Sequence, residues 1–221
     1  MKTIAFIPMK LNNERLPGKN VKRFDDGTPL ADVMFRKLVS LYKQEIDEIY
    51  VYCSDPSIKE YLPSEISFLK RPEELDGKDV HGTEIYQAFV KEKDADIYVL
   101  CHVTSPFIET EHIARCIRAV KSGRYDSAFC AKKIQNFLWK DNKPFNFILN
   151  QPPRTQDMEP IFMEQSTPYV FTKEVFRKYG ARTGITPFIC ECAETECVDI
   201  DYPEDFELAN MIYMNSLGRE S

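Results

Sequence analysis

Short apolar runs alternate along this chain with segments that have helical periodicity. Runs of strand length occupy residues 3–7, 48–53, 66–69, 96–101, 127–131 and 186–192. Between them, apolar residues recur at helical spacing in 29–43, in 83–91 and around 113–120. Strands that alternate with helices indicate βαβ units. The sequence therefore predicts an α/β fold with a mostly parallel central sheet flanked by helices.

The segment from about residue 134 to 169 breaks this alternation. It is rich in aromatic residues, Asn and Pro, and it has no helical period. Because so long an excursion from a compact domain is usually functional, we expect an arm on a single domain spanning residues 1–221. After it, residues 170–180 predict a strand and a helix capped by Gly180. A last helix is expected to begin near Pro203.

Composition narrows the class of protein. Hydrophobic residues make up 43% of the chain and charged residues 29%, which is typical of globular proteins. The net charge of −6 argues against a nucleic-acid-coating surface. We expect no membrane association, because no apolar run approaches the length of a membrane span. The N-terminal residues predict a strand rather than a signal peptide.

The seven cysteines favour a reducing compartment. Their number is odd and no C-x-x-C motif occurs, so the sequence predicts buried free thiols in a cytoplasmic protein. Only Cys190, Cys192 and Cys197 lie close together in the sequence. A zinc site there is a weaker alternative, since the chain has only three histidines.

A basic loop follows the first predicted strand and contains Lys10, Asn13, Arg15, Gly18 and Lys19. In open α/β sheets, ligands bind beyond the carboxyl ends of the strands. Cations and backbone N–H groups at such a place can hold phosphate groups. The loop matches neither the Walker A motif nor the dinucleotide fingerprint. It therefore predicts a phosphate site of another kind, with a solvated turn as the alternative.

Two carboxylates alternate near the C-terminus, Asp199 and Asp201. If they end a strand, both point to the same face, because side chains repeat every two residues. Paired carboxylates can hold Mg²⁺ together with phosphate oxygens and water. The alternative is that Asp201 only caps the helix that begins near Pro203.

Other candidate residues lie at the end of the predicted central strand and in two charged turns. His102, Thr104 and Ser105 follow that strand, where a ligand is expected. Arg71 begins a charged turn before a helix. Arg154 lies in the excursion and can form either a bidentate pair with a ligand carboxylate or a structural salt bridge.

Five segments resemble the sugar-acid cytidylyltransferases, which include the acylneuraminate synthetases and relatives that act on other 2-keto-3-deoxy sugar acids. The matching segments are Arg15-Leu16-Pro17-Gly18-Lys19-Asn20, Arg71-Pro72-Glu73-Glu74-Leu75, Thr104-Ser105-Pro106, Arg154-Thr155-Gln156-Asp157 with Pro160, and Asp199-Ile200-Asp201 with Asp205-Phe206. They occur in the family's order and span most of the chain. The chain departs from the family pattern at Lys10, Glu14, His102 and Ile108, where the family usually or often has Arg, Lys, Gln and Arg.

The resemblance implies a Rossmann-like nucleotidyltransferase fold and the transfer of CMP from CTP to a sialic acid-like sugar acid, with Mg²⁺ as cofactor. It also implies a homodimer formed through the arm. The implied catalytic residues are Lys19, Arg15 and Asp201; the nucleotide contacts are Lys10, Asn13, Arg15, Lys19, Arg71, Thr104 and Ser105; the sugar contacts are His102, Arg154, Gln156, Gln165 and Tyr169; the metal ligands are Asp199 and Asp201. A transferase for another nucleotide or sugar, or a non-catalytic binding protein of the same fold, remains the alternative.

Overall fold

The computed structural model describes residues 1–217, and these residues form a seven-stranded sheet, a small hairpin and five α-helices. The strands are β1 (Thr3–Met9), β2 (Glu48–Cys53), β3 (Ile66–Lys70), β4 (Ile97–Leu100), β5 (Ser127–Ile134), β6 (Trp139–Lys140), β7 (Lys143–Pro144), β8 (Ile161–Thr172) and β9 (Pro187–Cys192). The α-helices are α1 (Leu30–Ser40), α2 (Gly82–Glu92), α3 (Thr110–Lys121), α4 (Lys173–Tyr179) and α5 (Pro203–Leu217). All the strands and helices that the hydrophobic pattern predicted are present, with ends that differ by a few residues.

The sheet has the order β3-β2-β1-β4-β8-β5-β9. Its strands run parallel except for β8, which is antiparallel to both of its neighbours. The predicted mostly parallel α/β sheet is therefore confirmed. The carboxyl ends of β1 and β4 lie side by side, because Phe6 pairs with Leu100.

Both faces of the sheet are covered, as expected for parallel strands joined by helices. Alternate residues of β1 pack into two different cores. Ile7 belongs to the core under α1 and α3, whereas Phe6 belongs to the core under α2 and α4. Phe6 stacks on Phe89 of α2 with a centroid distance of 4.2 Å. These contacts fix the strand that leads into the basic loop of residues 10–19, which we call the opening loop.

The strand β8 begins earlier than the sequence predicted. Residues 161–169 were expected to belong to the arm, but they pair with β5 from Ile161 onwards. The β5–β8 register shifts between Phe129 and Ala131. Pro168 lies in the shifted part and has no N–H to donate to a neighbouring strand. The polar run before Pro168 therefore conceals a strand that continues on both sides of the irregularity.

The arm is shorter than predicted and contains residues 135–160. It carries the hairpin of β6 and β7, whose turn residues Asp141 and Asn142 both have positive φ angles. Phe137 and Trp139 pack on Phe147, with centroid distances of 4.7 and 5.5 Å. Trp139 is nevertheless 57% exposed. The arm therefore presents aromatic surface to solvent.

The cysteines are all free thiols, and six of the seven are buried, as predicted. The cluster differs from the one that the sequence suggested. Cys190 lies with Cys116 and Cys130, and the three sulfur atoms are within 4.8 Å of one another. Cys192 and Cys197 form a separate pair with sulfur atoms 3.6 Å apart. The sequence missed this arrangement because Cys116, Cys130 and Cys190 come from three different elements.

None of the helices within residues 1–217 combines the length and the apolar character that crossing a membrane requires.

A buried carboxylate fastens the segment that leads to Asp199. The side chain of Glu196 is buried and accepts hydrogen bonds from the backbone N–H of Ala193 at 2.7 Å and of Glu109 at 2.9 Å. Its Oε2 atom also lies 2.8 Å from Nδ1 of His112. These contacts tie the segment between β9 and α5 to the N-terminus of α3.

We expect Glu196→Ala to lower the free energy of unfolding by about 2 kcal/mol, because it removes a buried carboxylate and leaves two partly buried N–H donors and the His112 ring without their acceptor. Urea unfolding measures this change. Glu194→Ala is the matched control, because the side chain of Glu194 is exposed and pairs with Lys132 at the surface. It should cost less than about 1 kcal/mol. Equal losses in the two variants would contradict the anchoring role of Glu196.

Candidate active site

A cavity of about 300 Å³ opens at the carboxyl ends of β1 and β4. Its walls also include residues 75–86, which lead into and form the start of α2. Six of the residues that the sequence singled out line it: Lys10, Asn13, Lys19, Arg71, His102 and Thr104. An adjoining hollow shares Lys10, Asn13 and Lys19 and adds Glu14 and Arg15. The opening loop therefore forms one wall of both spaces.

Lys19 joins the opening loop to the far end of the chain. The preceding residue, Gly18, has a φ angle of 65°, which a residue with a Cβ rarely adopts. This turn directs the Lys19 side chain inward, where the residue is 9% exposed. Its ammonium donates to the carbonyl of Ile200 at 2.7 Å and to Oδ1 of Asp201 at 3.0 Å. A buried ammonium requires such acceptors.

The carboxylate of Asp201 forms ion pairs with two cations of the opening loop. Its Oδ2 atom accepts a hydrogen bond from Arg15 at 2.9 Å, while Lys19 holds Oδ1. Burial alone would raise the pKa of the Asp201 carboxyl, but the hydrogen bond from Lys19 and the charges of Lys19 and Arg15 together lower it. Arg15 also lies over the ring of Tyr202, 5.3 Å from its centroid. The Asp201 carboxyl therefore stays ionised at neutral pH.

Asp199 contacts a different set of groups. Its Oδ2 atom accepts from the hydroxyl of Ser166 at 2.9 Å, and its Oδ1 atom lies 3.3 Å from the hydroxyl of Ser105. The hydroxyl oxygens of the two serines are 2.7 Å apart. Ser166 belongs to β8, and Ser105 lies in the loop after β4. Ser105, which the sequence singled out, therefore reaches the site through Asp199 rather than by lining the cavity.

The Asp199–Asp201 segment is irregular backbone rather than the strand end that the sequence suggested. The N–H of Ile200 donates to the carbonyl of Thr104 at 2.8 Å, and the Ile200 side chain is fully buried. The two aspartates therefore flank a buried residue.

The alternative role for Asp201, as the cap of α5, does not agree with these contacts. Asp205 accepts from the N–H groups of residues 201 and 202 at 2.9 and 2.8 Å. Asp205, in the first turn of α5, therefore makes the side-chain hydrogen bonds at the start of the helix, and the Asp201 carboxylate faces the opening loop.

These carboxylates fit the chemistry of a magnesium site. Mg²⁺ prefers hard oxygen ligands and is often held by one or two carboxylates together with substrate phosphates. Asp199 and Asp201 supply such oxygens, and Asp201 lies directly beside the cations Arg15 and Lys19. Their hydrogen-bond donors are the hydroxyls of two serines and the cations Arg15 and Lys19, of which Arg15 is the more exposed.

Arg71 lines the cavity but is tied to a neighbouring carboxylate. The residue is 2% exposed, and its guanidinium pairs with Asp76, with Nε 3.1 Å from Oδ1. Asp76 also accepts from the hydroxyl of Ser54. This network holds the turn before α2 against the end of β2, so Arg71 shapes the cavity wall.

Asn13 has a buried side-chain oxygen without a hydrogen-bond partner within the described part of the chain. A buried unpaired polar atom is costly, and here it belongs to a residue that lines the cavity. A ligand hydroxyl or amino group would satisfy it. Glu14, in contrast, is exposed and makes no ion pair within residues 1–217. Its charge is therefore screened by solvent, although it lies among cations.

The residues that the sequence associated with the sugar lie in two places. His102 lines the cavity, and Tyr169 lies on the same strand, β8, as the Ser166 that His102 contacts. Arg154 and Gln156 are exposed in the arm, where Arg154 pairs with Asp157 at 2.8 Å. That pair is the structural salt bridge that the sequence left open.

Gln165 is buried, and its side chain donates to the carbonyl of Met163 at 3.1 Å. The roles toward a sugar of Gln165, Tyr169, Arg154 and Gln156 stay predictions.

The sequence missed a polar chain beside the cavity. Arg182 stacks on the ring of Tyr169, 3.7 Å from its centroid, and donates to the Tyr169 hydroxyl at 2.9 Å. It also reaches the hydroxyl of Tyr86 at 3.3 Å. Tyr86 in turn lies 3.4 Å from Nε2 of His102. No local pattern marks Arg182, because its partners are distant in sequence.

Comparisons with known proteins agree with this geometry. The cytidylyltransferase family model matches residues 4–219. N-acylneuraminate cytidylyltransferase A of Danio rerio is 24% identical over 215 residues, which cover 93% of this chain and 49% of the relative. 3-Deoxy-manno-octulosonate cytidylyltransferase 2 of Hydrogenovibrio crunogenus is 28% identical over 130 residues, 58% of this chain and 51% of that protein. The aligned regions thus span about half the length of each relative.

Solved structures share the fold. CMP:2-keto-3-deoxy-manno-octonic acid synthetase complexed with CTP superposes with a TM-score of 0.71 at 16% identity, covering 98% of this chain and all of that one. A 4-diphosphocytidyl-2C-methyl-D-erythritol synthase from Anaerococcus prevotii gives a TM-score of 0.66 at 15% identity, with 96% of each chain covered. At these identities the superpositions establish the nucleotidyltransferase fold alone. The family match over nearly the whole sequence goes further: this chain belongs to the cytidylyltransferase family.

Proposed function

We propose that this protein transfers CMP from CTP to a 2-keto-3-deoxy sugar acid of the sialic acid or octulosonate class and releases pyrophosphate. One observation carries the proposal. Lys19 of the opening loop lines the cavity and donates a hydrogen bond to the carboxylate of Asp201. Two relatives of this chain are named as cytidylyltransferases for such sugar acids. The site also has the cations and carboxylates that this reaction needs.

The reaction requires charge neutralisation and in-line positioning more than covalent chemistry. Lys19 is fixed by the Ile200 carbonyl, so its charge is placed before a ligand arrives. Arg15 is more exposed, with 57% of its side chain accessible, and can turn from Asp201 to a phosphate group. Lys10 lines the same wall. These three cations would hold the triphosphate, and Asn13, Arg71 and Thr104 would contact or shape the nucleoside pocket.

Asp199 and Asp201 would hold the Mg²⁺ ion. When bound, Mg²⁺ neutralises phosphate charge and lowers the cost of ionising the attacking hydroxyl. Arg15 pairs with Asp201 in this structure and would be available for phosphate oxygens once that carboxylate served as a metal ligand. Asp201 would therefore link metal binding to the arrangement of the loop.

An activity assay can show which of the two classes of sugar acid is the substrate. N-acetylneuraminate and 3-deoxy-manno-octulosonate both carry the carboxylate and the anomeric hydroxyl that the reaction uses. Pyrophosphate release should occur with CTP, Mg²⁺ and one of them. Release with UTP, GTP or ATP instead would favour a transferase for another nucleotide. If no combination of nucleotide and sugar acid releases pyrophosphate, a non-catalytic binding protein would be favoured.

Nucleotide choice is testable without a sugar. With Mg²⁺ and CTP at about 100 times its Kd, ligand binding stabilises the fold by about 2.7 kcal/mol, or roughly 5 to 10 °C in Tm. We expect CTP to raise the Tm by this amount in a thermal shift assay and UTP, GTP and ATP at the same concentration to raise it less. Equal shifts with all four nucleotides would contradict the choice of CTP.

Asp201→Asn should lower kcat by about 10²- to 10³-fold, because it removes one charge from the metal and phosphate centre. The fold should persist, since the amide oxygen can still accept from Lys19. Kinetics at several Mg²⁺ concentrations, with circular dichroism as the folding check, measure both effects. Glu204→Gln in the first turn of α5 is the control and should leave kcat unchanged. Normal turnover and Mg²⁺ dependence in Asp201→Asn would remove Asp201 from the site.

We propose further that the arm forms a two-fold homodimer and helps to close the sugar site of the partner. Four aromatic side chains of this region and the start of β8 are more than one third exposed: Phe137, Trp139, Phe145 and Phe162. Ile148 and Leu149 add aliphatic surface, with 70% and 61% exposure. A large exposed apolar patch usually marks an interaction surface.

Light scattering at micromolar concentration should give twice the chain mass of 25.8 kDa. Trp139→Glu should give the single mass, because a charge in the interface costs desolvation energy. Ile185→Glu is the control, since Ile185 is 75% exposed outside the arm. A wild-type protein that is monomeric and fully active would contradict the dimer.

A further inference from the structure

The ring of His102 is held in one orientation at the end of β4. Its backbone N–H donates to the hydroxyl of Thr167 at 2.8 Å. Its Nδ1 atom lies 2.6 Å from the carbonyl oxygen of Ser166. Both partners belong to the irregular part of β8, where the pairing with β5 shifts. The irregularity therefore turns polar backbone toward His102.

These contacts determine which nitrogen carries the proton. A carbonyl oxygen can only accept a hydrogen bond, so Nδ1 of His102 must be the protonated nitrogen. In the neutral ring, Nε2 then has a free lone pair.

The hydrogen bonds of Tyr86, on the other side of the His102 ring, agree with this assignment. Arg182 can only donate, and it donates to the Tyr86 oxygen at 3.3 Å. The Tyr86 hydroxyl hydrogen is thus left to point toward Nε2 of His102 at 3.4 Å. That contact is long and therefore weak, so the lone pair of Nε2 stays available to accept a proton.

Burial, together with the charges nearby, favours the neutral form of the His102 ring. Burial lowers the pKa of His102, the hydrogen bond to Ser166 opposes this, and the nearby cations Arg182 and Lys19 lower it further. Asp199 is the one carboxylate among these influences, and its effect is smaller than that of Arg182. The net pKa lies below the usual histidine value of about 6.5. The His102 ring is therefore neutral at neutral pH.

We propose that Nε2 of His102 is the catalytic base that takes the proton from the anomeric hydroxyl of the sugar acid. His102 and Tyr86 both line the cavity, so a hydroxyl that enters there can replace the long contact with Tyr86. This inference rests on the function proposed above. It assigns a chemical role to a residue that sequence comparison associated only with substrate binding.

In the proposed step, one proton moves to His102 and CTP loses pyrophosphate. The anomeric O–H bond breaks, its proton goes to Nε2, and the oxygen electron pair forms a bond to the α-phosphorus of CTP. The bond from the α-phosphorus to the bridging oxygen breaks, and pyrophosphate leaves with that electron pair. The Ser166 carbonyl stabilises the imidazolium through Nδ1–H, and the imidazolium then returns its proton to water.

The tautomer can be tested without any substrate. The chain has three histidines, so long-range ¹H–¹⁵N NMR spectra of the labelled protein contain few signals. The His102 signals are identified by their loss in His102→Gln. We expect a protonated Nδ1 and an unprotonated Nε2 at pH 7.5. A proton on Nε2, or an imidazolium at that pH, would overturn the proposal.

Kinetics test the base itself. Gln can accept a hydrogen bond in place of Nε2 but cannot take up the proton. We expect His102→Gln to lower kcat about 10²-fold or more at pH 7.5, with the KM for CTP changed only a few-fold. The wild-type kcat/KM should fall as one group becomes protonated below about pH 6.5, and this acid limb should be absent in His102→Gln.

His112→Gln is the matched control, because His112 contacts Glu196 rather than the cavity. It should keep the wild-type kcat and the acid limb. If His102→Gln retains more than a third of kcat, or keeps the same acid limb, His102 is not the base. If the wild-type protein releases no pyrophosphate with either sugar acid, the proposed function fails and this inference falls with it. The tautomer measurement and the wild-type assay together tell the two failures apart.

Discussion

A buried ammonium group organises the candidate site. Lys19 is almost fully removed from water, and its charge therefore needs hydrogen-bond acceptors from the protein. The acceptors are the carbonyl of Ile200 and the carboxylate of Asp201, which lie 181 and 182 positions further along the chain. This pairing brings the first loop and the entrance to the last helix together over the carboxyl ends of β1 and β4. Cations and carboxylates therefore meet where a ligand of this sheet is expected.

The hydrophobic pattern was enough to predict the sheet and its position relative to the loop. Ile4, Phe6 and Leu100 belong to strands buried on both faces, and such strands read as continuous apolar runs. Polar residues directly after these runs had to lie at one edge of the sheet. For this reason Lys19, His102 and Thr104 could be placed together from the sequence, and the structure brings them to one cavity.

What the sequence could not predict depends on contacts between distant segments. Pro168 and the polar residues before it concealed the first half of β8, because a strand with a proline and an irregular register lacks simple alternation. The contact of Ser166 with His102 follows from that irregularity. Arg182 was missed because its position near Tyr86 depends on the same strand. Side chains that act through tertiary partners leave no periodic signal.

We propose that Lys19 and the two aspartates form the place where the triphosphate of CTP is held. A crystal structure of the protein with CTP and Mg²⁺ measures this directly. We expect phosphate oxygens within about 3 Å of the Lys19 ammonium, a metal ion held by Asp199 or Asp201, and the nucleoside in the cavity between β1 and α2. CTP bound elsewhere, or phosphates directed away from an unchanged Lys19–Asp201 pair, would contradict it.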